Sequence, residues 1–90
     1  MIDYQKYTLR YAAGIYWLIE IDQRKPNYVQ PLPMNETGAL IWKWMKAGYT
    51  PKDITKMLHN QYKITCEEAN KDVRGFLEQL SIMGIIKGDM

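Results

Sequence analysis

The most reactive side chains of this chain belong to one histidine, His59, and one cysteine, Cys66. A histidine can deprotonate a thiol, and a thiol at the start of a helix ionises more readily, so the two could form a base and a nucleophile. Such a pair also needs a group that orients the base and donors that bind an oxyanion, and the sequence supplies no pattern for either. We therefore expect His59 to be a partly exposed surface residue and Cys66 to lie in the first turn of a helix.

The spacing of potential ligands predicts neither a metal site nor a cofactor. The sequence contains no C-x-x-C, no H-x-x-x-H and no paired histidines with carboxylates. Its six glycines are scattered at expected turns and helix ends, apart from Gly75, and form no phosphate-binding loop. Glu67 and Glu68 fit the first turn of a helix, where the helix dipole favours negative charge. We expect no enzymatic activity.

Length and composition predict one globular domain that spans residues 1–90. Ninety residues, 47% of them hydrophobic and 24% charged, are enough for a single core. A lone cysteine cannot form an internal disulfide, and no apolar run is long enough for a signal sequence or a membrane span. These features predict a cytoplasmic protein that does not enter a membrane. The net charge of +2 does not decide whether a polyanion is a partner.

The first third of the chain, about residues 4–34, has the pattern of a three-stranded antiparallel meander. Apolar and polar residues alternate from Tyr7 to Tyr11, and the turn Ala12-Ala13-Gly14 leads to a second strand, Ile15–Asp22. A polar connection at 22–27 precedes the third strand, Tyr28–Met34. In the second strand we expect the face with Ile15, Trp17, Ile19 and Ile21 to be buried.

The third strand contains two prolines, Pro31 and Pro33, whose missing N–H groups would lie on the same edge. Because proline is tolerated on a free edge and rarely inside a ladder, Val29, Pro31 and Pro33 should direct their backbones outward. The same pattern assigns Tyr28, Gln30 and Leu32 to pairing with the second strand. The free edge then keeps its carbonyl acceptors but has a donor only at Val29.

Three helices should follow, at about 36–47, 51–62 and 66–83. Asn35 is suited to cap the first, Thr50 with Pro51 begins the second, and Thr65 with Glu68 forms a capping box for the third. Gly48 ends the first helix and leaves a connection of about three residues, as in a helix-turn-helix. The expected apolar positions are Leu40, Ile41, Trp44 and Met45, with Trp42 beside them, then Ile54, Met57, Leu58 and Tyr62, and then Ala69, Val73, Phe76, Leu77, Leu80 and Met83.

These elements predict an α+β fold that resembles a winged helix-turn-helix, and a DNA-binding regulator is one interpretation. In such a protein the third helix enters the major groove and presents basic side chains. Here that helix would carry Glu67, Glu68, Asp72 and Glu78 against Lys71 and Arg74. Phosphates would repel a helix of that charge, so we do not expect a nucleic-acid partner.

The sequence resembles the PqqD family over about residues 9–86. The resemblance is carried by the run 34–42, M-N-E-T-G-A-L-I-W, by Thr50 to Ile54, by C-E-E-A at 66–69, and by Phe76 to Leu80 followed by Ile85. It implies a non-catalytic protein that binds the leader of a ribosomally made precursor peptide. Such a protein presents the leader to a modifying enzyme, often a radical-SAM protein, in the biosynthesis of pyrroloquinoline quinone or a related product.

The resemblance also implies where the leader binds, because it would add as a strand to the third strand and lie against the third helix. The strand edge would be Tyr28, Val29, Gln30, Pro31 and Leu32. The helix wall would be either the side with Asn70, Arg74, Leu77 and Ser81 or the side with Asp72, Phe76, Gln79 and Met83. We prefer the first side because Arg74 could pair with an acidic leader residue.

Pro31 and Pro33 depart from the family pattern and leave a further interpretation open. They could weaken leader pairing, protect the edge against aggregation, or belong to a subunit that docks on an enzyme and no longer binds peptide. A homodimer that exchanges its sheet is also compatible with so small a domain.

Overall fold

The computed structural model describes residues 4–21 and 31–85. The strands form an antiparallel sheet in the order β1-β2-β3, and the helices follow the last strand. This confirms the predicted α+β fold of three strands followed by three helices. In chain order the elements are a short 3-10 helix (Tyr4–Lys6), β1 (Tyr7–Ala12), β2 (Ile15–Glu20), β3 (Leu32–Met34), α1 (Glu36–Lys46), α2 (Pro51–Tyr62) and α3 (Cys66–Ile82).

Local hydrogen bonds fix the start of each helix. The side chain of Asn35 accepts a hydrogen bond of 2.8 Å from the backbone N–H of Gly38. The Thr65 hydroxyl accepts from the Glu68 N–H at 3.0 Å, while the Glu68 carboxylate accepts from the Thr65 N–H at 3.1 Å. α2 begins with the same reciprocal arrangement between Thr50 and Asp53. The predicted helix limits therefore agree with the structure except that α1 and α3 each end one residue earlier.

The β1–β2 hairpin turns on two residues with left-handed backbone conformations. Ala13 and Gly14 have φ angles of 55° and 78°, which is the pattern of a type I′ turn. β2 ends at Glu20, two residues before the predicted limit. Of the predicted third strand, Tyr28, Val29 and Gln30 lie outside the described residues, as does the connection at 22–27. β3 itself comprises Leu32–Met34.

The face of β2 that the helices cover is the opposite of the predicted one. Leu18 is 2% exposed and Glu20 is 8% exposed, so the buried face carries the even-numbered residues. Trp17 is only half-buried, and Ile21 is 60% exposed on the other side. Both faces of β2 carry large apolar side chains, and a period of two identifies two faces without indicating which one the helices cover. The prediction that Trp17 is buried was therefore wrong.

Trp42 fills the space between α1 and the sheet. It is 2% exposed, and its ring meets those of Tyr4 and Tyr7 edge-on at centroid distances of 5.0 and 6.0 Å. The buried stripe of α1 is thus rotated toward Trp42, and Leu40 and Trp44 are only half-buried.

α2 and α3 close the core largely as predicted. α2 contributes Ile54 and Leu58, both fully buried, whereas Tyr62 is 37% exposed and lies outside the core. In α3 the buried residues are Ala69, Val73, Phe76 and Leu80, and Ile85 packs back onto the core as expected.

Candidate functional site

A cleft of about 360 Å³ lies between β3 and α3. The end of β3 forms one wall, the first turns of α1 form the base, and one side of α3 forms the other wall. We call it the β3 cleft. It is lined by Pro33, Met34, Asn35, Thr37, Gly38, Ile41, Asp72, Phe76 and Gln79.

Gly38 allows the three elements to approach closely at the base of the β3 cleft. A Cβ atom on Gly38 would lie 3.2 Å from the Cβ of Met34 and 3.4 Å from the Cδ1 of Phe76. Gly38 is buried, and Phe76 is 6% exposed beside it. Glycine at this position therefore sets the spacing between β3, α1 and α3.

The hydrogen-bond alternation of the sheet determines what the open edge of β3 offers. The Ile21 N–H donates to the Lys6 carbonyl at 2.8 Å, so counting along the antiparallel ladder makes Arg10 and Trp17 a hydrogen-bonded pair. Trp17 thus directs its backbone groups to β1. Pro33 lies opposite Trp17 on the other side, so its own backbone groups point to the open edge.

That edge accepts hydrogen bonds but donates none at its prolines. Pro33 and Pro31 lack an N–H group and keep their carbonyl oxygens. The register pairs Leu32 with Leu18 and Met34 with Tyr16, which directs the N–H groups of Leu32 and Met34 inward to β2. An incoming strand could therefore donate to this part of β3 and would find no donor in return.

The side of α3 that faces β3 is the one we did not prefer from the sequence. Asp72, Phe76 and Gln79 line the β3 cleft. Asn70 and Arg74 instead line a shallow surface formed by α3 and the Thr65 before it, which includes no strand residue. Leu77 is half-buried against the core, and Ser81 is exposed. We preferred the first side because of the charge of Arg74. The charge of a residue, however, does not indicate which side of a helix faces the sheet.

Sequence reasoning missed the contribution of α1 to the cleft. Asn35, Thr37 and Gly38 belong to the same N-E-T-G run that begins α1, and they lie directly after β3. A strand followed without a linker by a capped helix places the first helical turn beside the strand edge. This adjacency of β3 and α1 in the sequence could have indicated that α1 contributes to the cleft.

His59 and Cys66 occupy positions that suit the surface roles expected of them. The Nδ1 of His59 lies 2.5 Å from the carbonyl oxygen of Ile64, so its ring braces the turn between α2 and α3. Cys66 is exposed at the first position of α3. Within residues 4–21 and 31–85 no three His, Cys, Asp or Glu side chains group together as metal ligands. In the same ranges no helix has the length and apolarity needed to cross a membrane.

Comparisons with known proteins agree with this architecture. Over its full length the chain matches a solved structure described as TbiB1 in complex with the TbiA(beta) leader peptide, with a TM-score of 0.75, 17% identity and coverage of 99% of that chain. At that identity the likeness shows a shared fold. No curated protein matches the chain. The profile of the family described as coenzyme PQQ synthesis protein D (PqqD) matches residues 22–86, well over half of the sequence. The chain therefore belongs to the PqqD family.

Proposed function

We propose that this protein recognises the leader of a ribosomally made precursor peptide and holds it for a modifying enzyme. The observation that carries the proposal is the β3 cleft, in which an open strand edge and a helix wall face each other. A groove of this kind suits an extended peptide, which pairs with the edge through its backbone and contacts the helix through its side chains. The similar fold of TbiB1, which was solved with a leader peptide, supports this role.

The leader would lie along β3 and donate N–H groups to the carbonyls of Pro31 and Pro33. On the helix side, Phe76 supplies an apolar surface between the polar Asp72 and Gln79. This arrangement favours a leader with an apolar residue toward Phe76 and a basic residue toward Asp72. Because the prolines remove donors, side-chain contacts carry a larger share of the affinity than on a proline-free edge. Tyr28, Val29 and Gln30, which precede Pro31 in the sequence, remain proposed peptide-binding residues.

In this role the protein binds and positions its peptide and leaves the chemistry to a partner. The partner would be the enzyme that modifies the precursor, of the radical-SAM class that the family resemblance implies, in pyrroloquinoline quinone biosynthesis or a related pathway. A homodimer is a further arrangement that sedimentation of the purified protein would reveal.

Peptide binding is favoured over DNA binding by the charge of α3. Glu67, Glu68 and Glu78 are exposed on that helix, with Lys71 and Arg74 interspersed among them. To test the choice, synthetic leaders of short precursors encoded near the gene and a mixed-sequence duplex DNA would be titrated in parallel by fluorescence polarisation at low salt. We expect one leader to saturate and the DNA to give no signal. DNA binding without leader binding would overturn the proposal.

A further inference from the structure

A second groove of about 400 Å³ lies at the opposite edge of the sheet, between β1 and α1. We call it the β1 groove. It is separate from the β3 cleft, since the two share no lining residue and the sheet order places β2 between them. Its lining residues are Thr8, Leu9, Tyr11, Tyr16, Trp42, Lys43 and Lys46.

The backbone of β1 offers this groove both donors and acceptors. In the alternation set by the bond between Ile21 and Lys6, Leu9 and Tyr11 occupy non-hydrogen-bonded positions opposite β2. Their N–H and C=O groups therefore point to the outer edge. Within residues 4–21 and 31–85, no strand pairs with that edge. Unlike Pro31 and Pro33 at the edge of β3, Leu9 and Tyr11 can each donate and accept a hydrogen bond with an added strand.

The charge of the β1 groove is positive. Lys43 and Lys46 are exposed on one face of α1, about one helical turn apart. None of the residues that line the groove is acidic. The Nζ of Lys43 lies 5.7 Å from the centroid of the Tyr16 ring, which holds the ammonium group over the groove.

Next to the lysines is an exposed aromatic surface. Tyr11 is 64% exposed, and its ring lies 4.7 Å from that of Tyr16, centroid to centroid. A ligand strand would therefore meet an apolar ring pair beside two ammonium groups. Because alternate side chains of an added strand face α1, a strand with acidic residues at every second position would place them over the rings and against the two lysines.

We propose that the β1 groove docks an extended acidic segment of the modifying enzyme, which adds to β1 as a strand and places carboxylates on Lys43 and Lys46. Only the identity of the partner as that enzyme rests on the proposed function. The leader is the poorer occupant, because the cleft proposed for it contains Asp72 and lies at the other edge, so both grooves can be filled together. A second copy of the chain is also a poorer occupant, because pairing two β1 edges would bring the lysines of both copies to one interface.

The test uses two short synthetic peptides, one in which glutamate alternates with valine and one in which lysine replaces each glutamate. Each is titrated into the full-length, isotope-labelled protein, and the amide signals of Leu9 and Tyr11 are followed by NMR. We expect the glutamate peptide to shift these signals saturably and the lysine peptide to leave them unchanged. The charge-reversed variant K43E/K46E should bind the glutamate peptide at least tenfold more weakly than the wild type. It should also bind the lysine peptide, which the wild type does not. The matched control K52E/K56E, on the exposed face of α2, should behave as the wild type.

The inference would be overturned by the absence of a shift of the Leu9 and Tyr11 signals, by equal shifts with both peptides, or by an equal loss in the α2 control. Shifts of these signals with protein concentration alone would indicate a second copy as the occupant and would also contradict it. Leader titration on the same sample keeps the two proposals distinct. A leader that binds at the β3 cleft while the β1 groove ignores both peptides would refute only the inference about the β1 groove.

Discussion

Trp17 lies directly opposite Pro33 across the β2–β3 pair. Because Trp17 directs its backbone groups to β1, Pro33 directs its own to the open edge, where a proline offers a carbonyl and no donor. The proline is thus placed where it costs the sheet no hydrogen bond and where its effect falls on whatever binds to β3. This placement makes the affinity for a leader adjustable by single substitutions.

Replacing Pro33 with threonine should strengthen leader binding. The new N–H points to the open edge and can donate to the bound strand, a contribution of about 0.5–1.5 kcal/mol, or roughly two- to twelvefold in affinity. Threonine also suits a strand, so the fold should be retained. Isothermal titration calorimetry with the leader measures the change in affinity. Pro31→Thr should change the affinity in the same direction.

The matched control for the proline substitutions is Pro51→Ala, which changes a proline at the start of α2, away from the sheet. It should leave the affinity for the leader unchanged. If Pro31→Thr and Pro33→Thr also left it unchanged while the leader still bound, the peptide would not pair with β3. If no leader bound at all, the protein would be better explained as an enzyme subunit without a peptide site.

The two sides of α3 can be compared by matched amide-to-arginine substitutions. Gln79 lines the β3 cleft, and Asn70 is exposed on the other side of the same helix. We expect Gln79→Arg to fill the cleft and weaken leader binding at least about tenfold, which is roughly 1.4 kcal/mol. Asn70→Arg should have no effect. If Asn70→Arg weakened leader binding and Gln79→Arg did not, the side of α3 with Arg74 would be the binding wall.

Gly38→Ala should lower both stability and leader affinity. The added methyl group would press on Met34 and Phe76, and overpacking of this kind costs about 1–3 kcal/mol, which exceeds the gain of up to about 1 kcal/mol in helix propensity. Gly75→Ala is the control, since a Cβ there meets no atom within 4 Å. It should raise the free energy of unfolding. Urea unfolding of both variants measures the difference, and equal effects would show that the glycine at 38 does not set the spacing of the cleft.

Ionisation of Tyr4 should lower the free energy of unfolding at alkaline pH. Burial against Trp42 raises the pKa of Tyr4 above its ordinary value of 10.0, because the phenolate would lose hydration. The unfolded chain then ionises first, so the stabilising contribution is complete below about pH 10 and is lost as the pH rises through the folded-state pKa. Unfolding free energies of the wild type and Tyr4→Phe, measured across this range, should diverge above about pH 10. Parallel curves would refute the burial of the hydroxyl.

The sequence predicted the features that depend on neighbouring residues. Asn35 and Thr65 cap helices through hydrogen bonds that span three positions, so their types and spacing were sufficient. The α+β order followed from the change of apolar period between the strands and the helices.

The features that depend on the packing of distant elements were less accessible. Trp17 was expected in the core because an amphipathic strand does not indicate which of its faces the helices cover. The wall of the cleft was assigned to Arg74 by charge, whereas the rotation of α3 about its axis places Asp72 there. That rotation is set by the residues of α3 that are buried in the core, among them Val73 and Leu80.

The most direct measurement is an NMR titration of the isotope-labelled protein with its leader peptide. If the peptide adds to β3, the amide signals of Leu32 and Met34 in the strand and of Asp72, Phe76 and Gln79 in α3 should shift together and saturate. The signals of Asn70 and Arg74 should change little. If a saturating amount of peptide caused no shifts in β3 and α3, or only shifts on another surface, leader recognition at the β3 cleft would be contradicted.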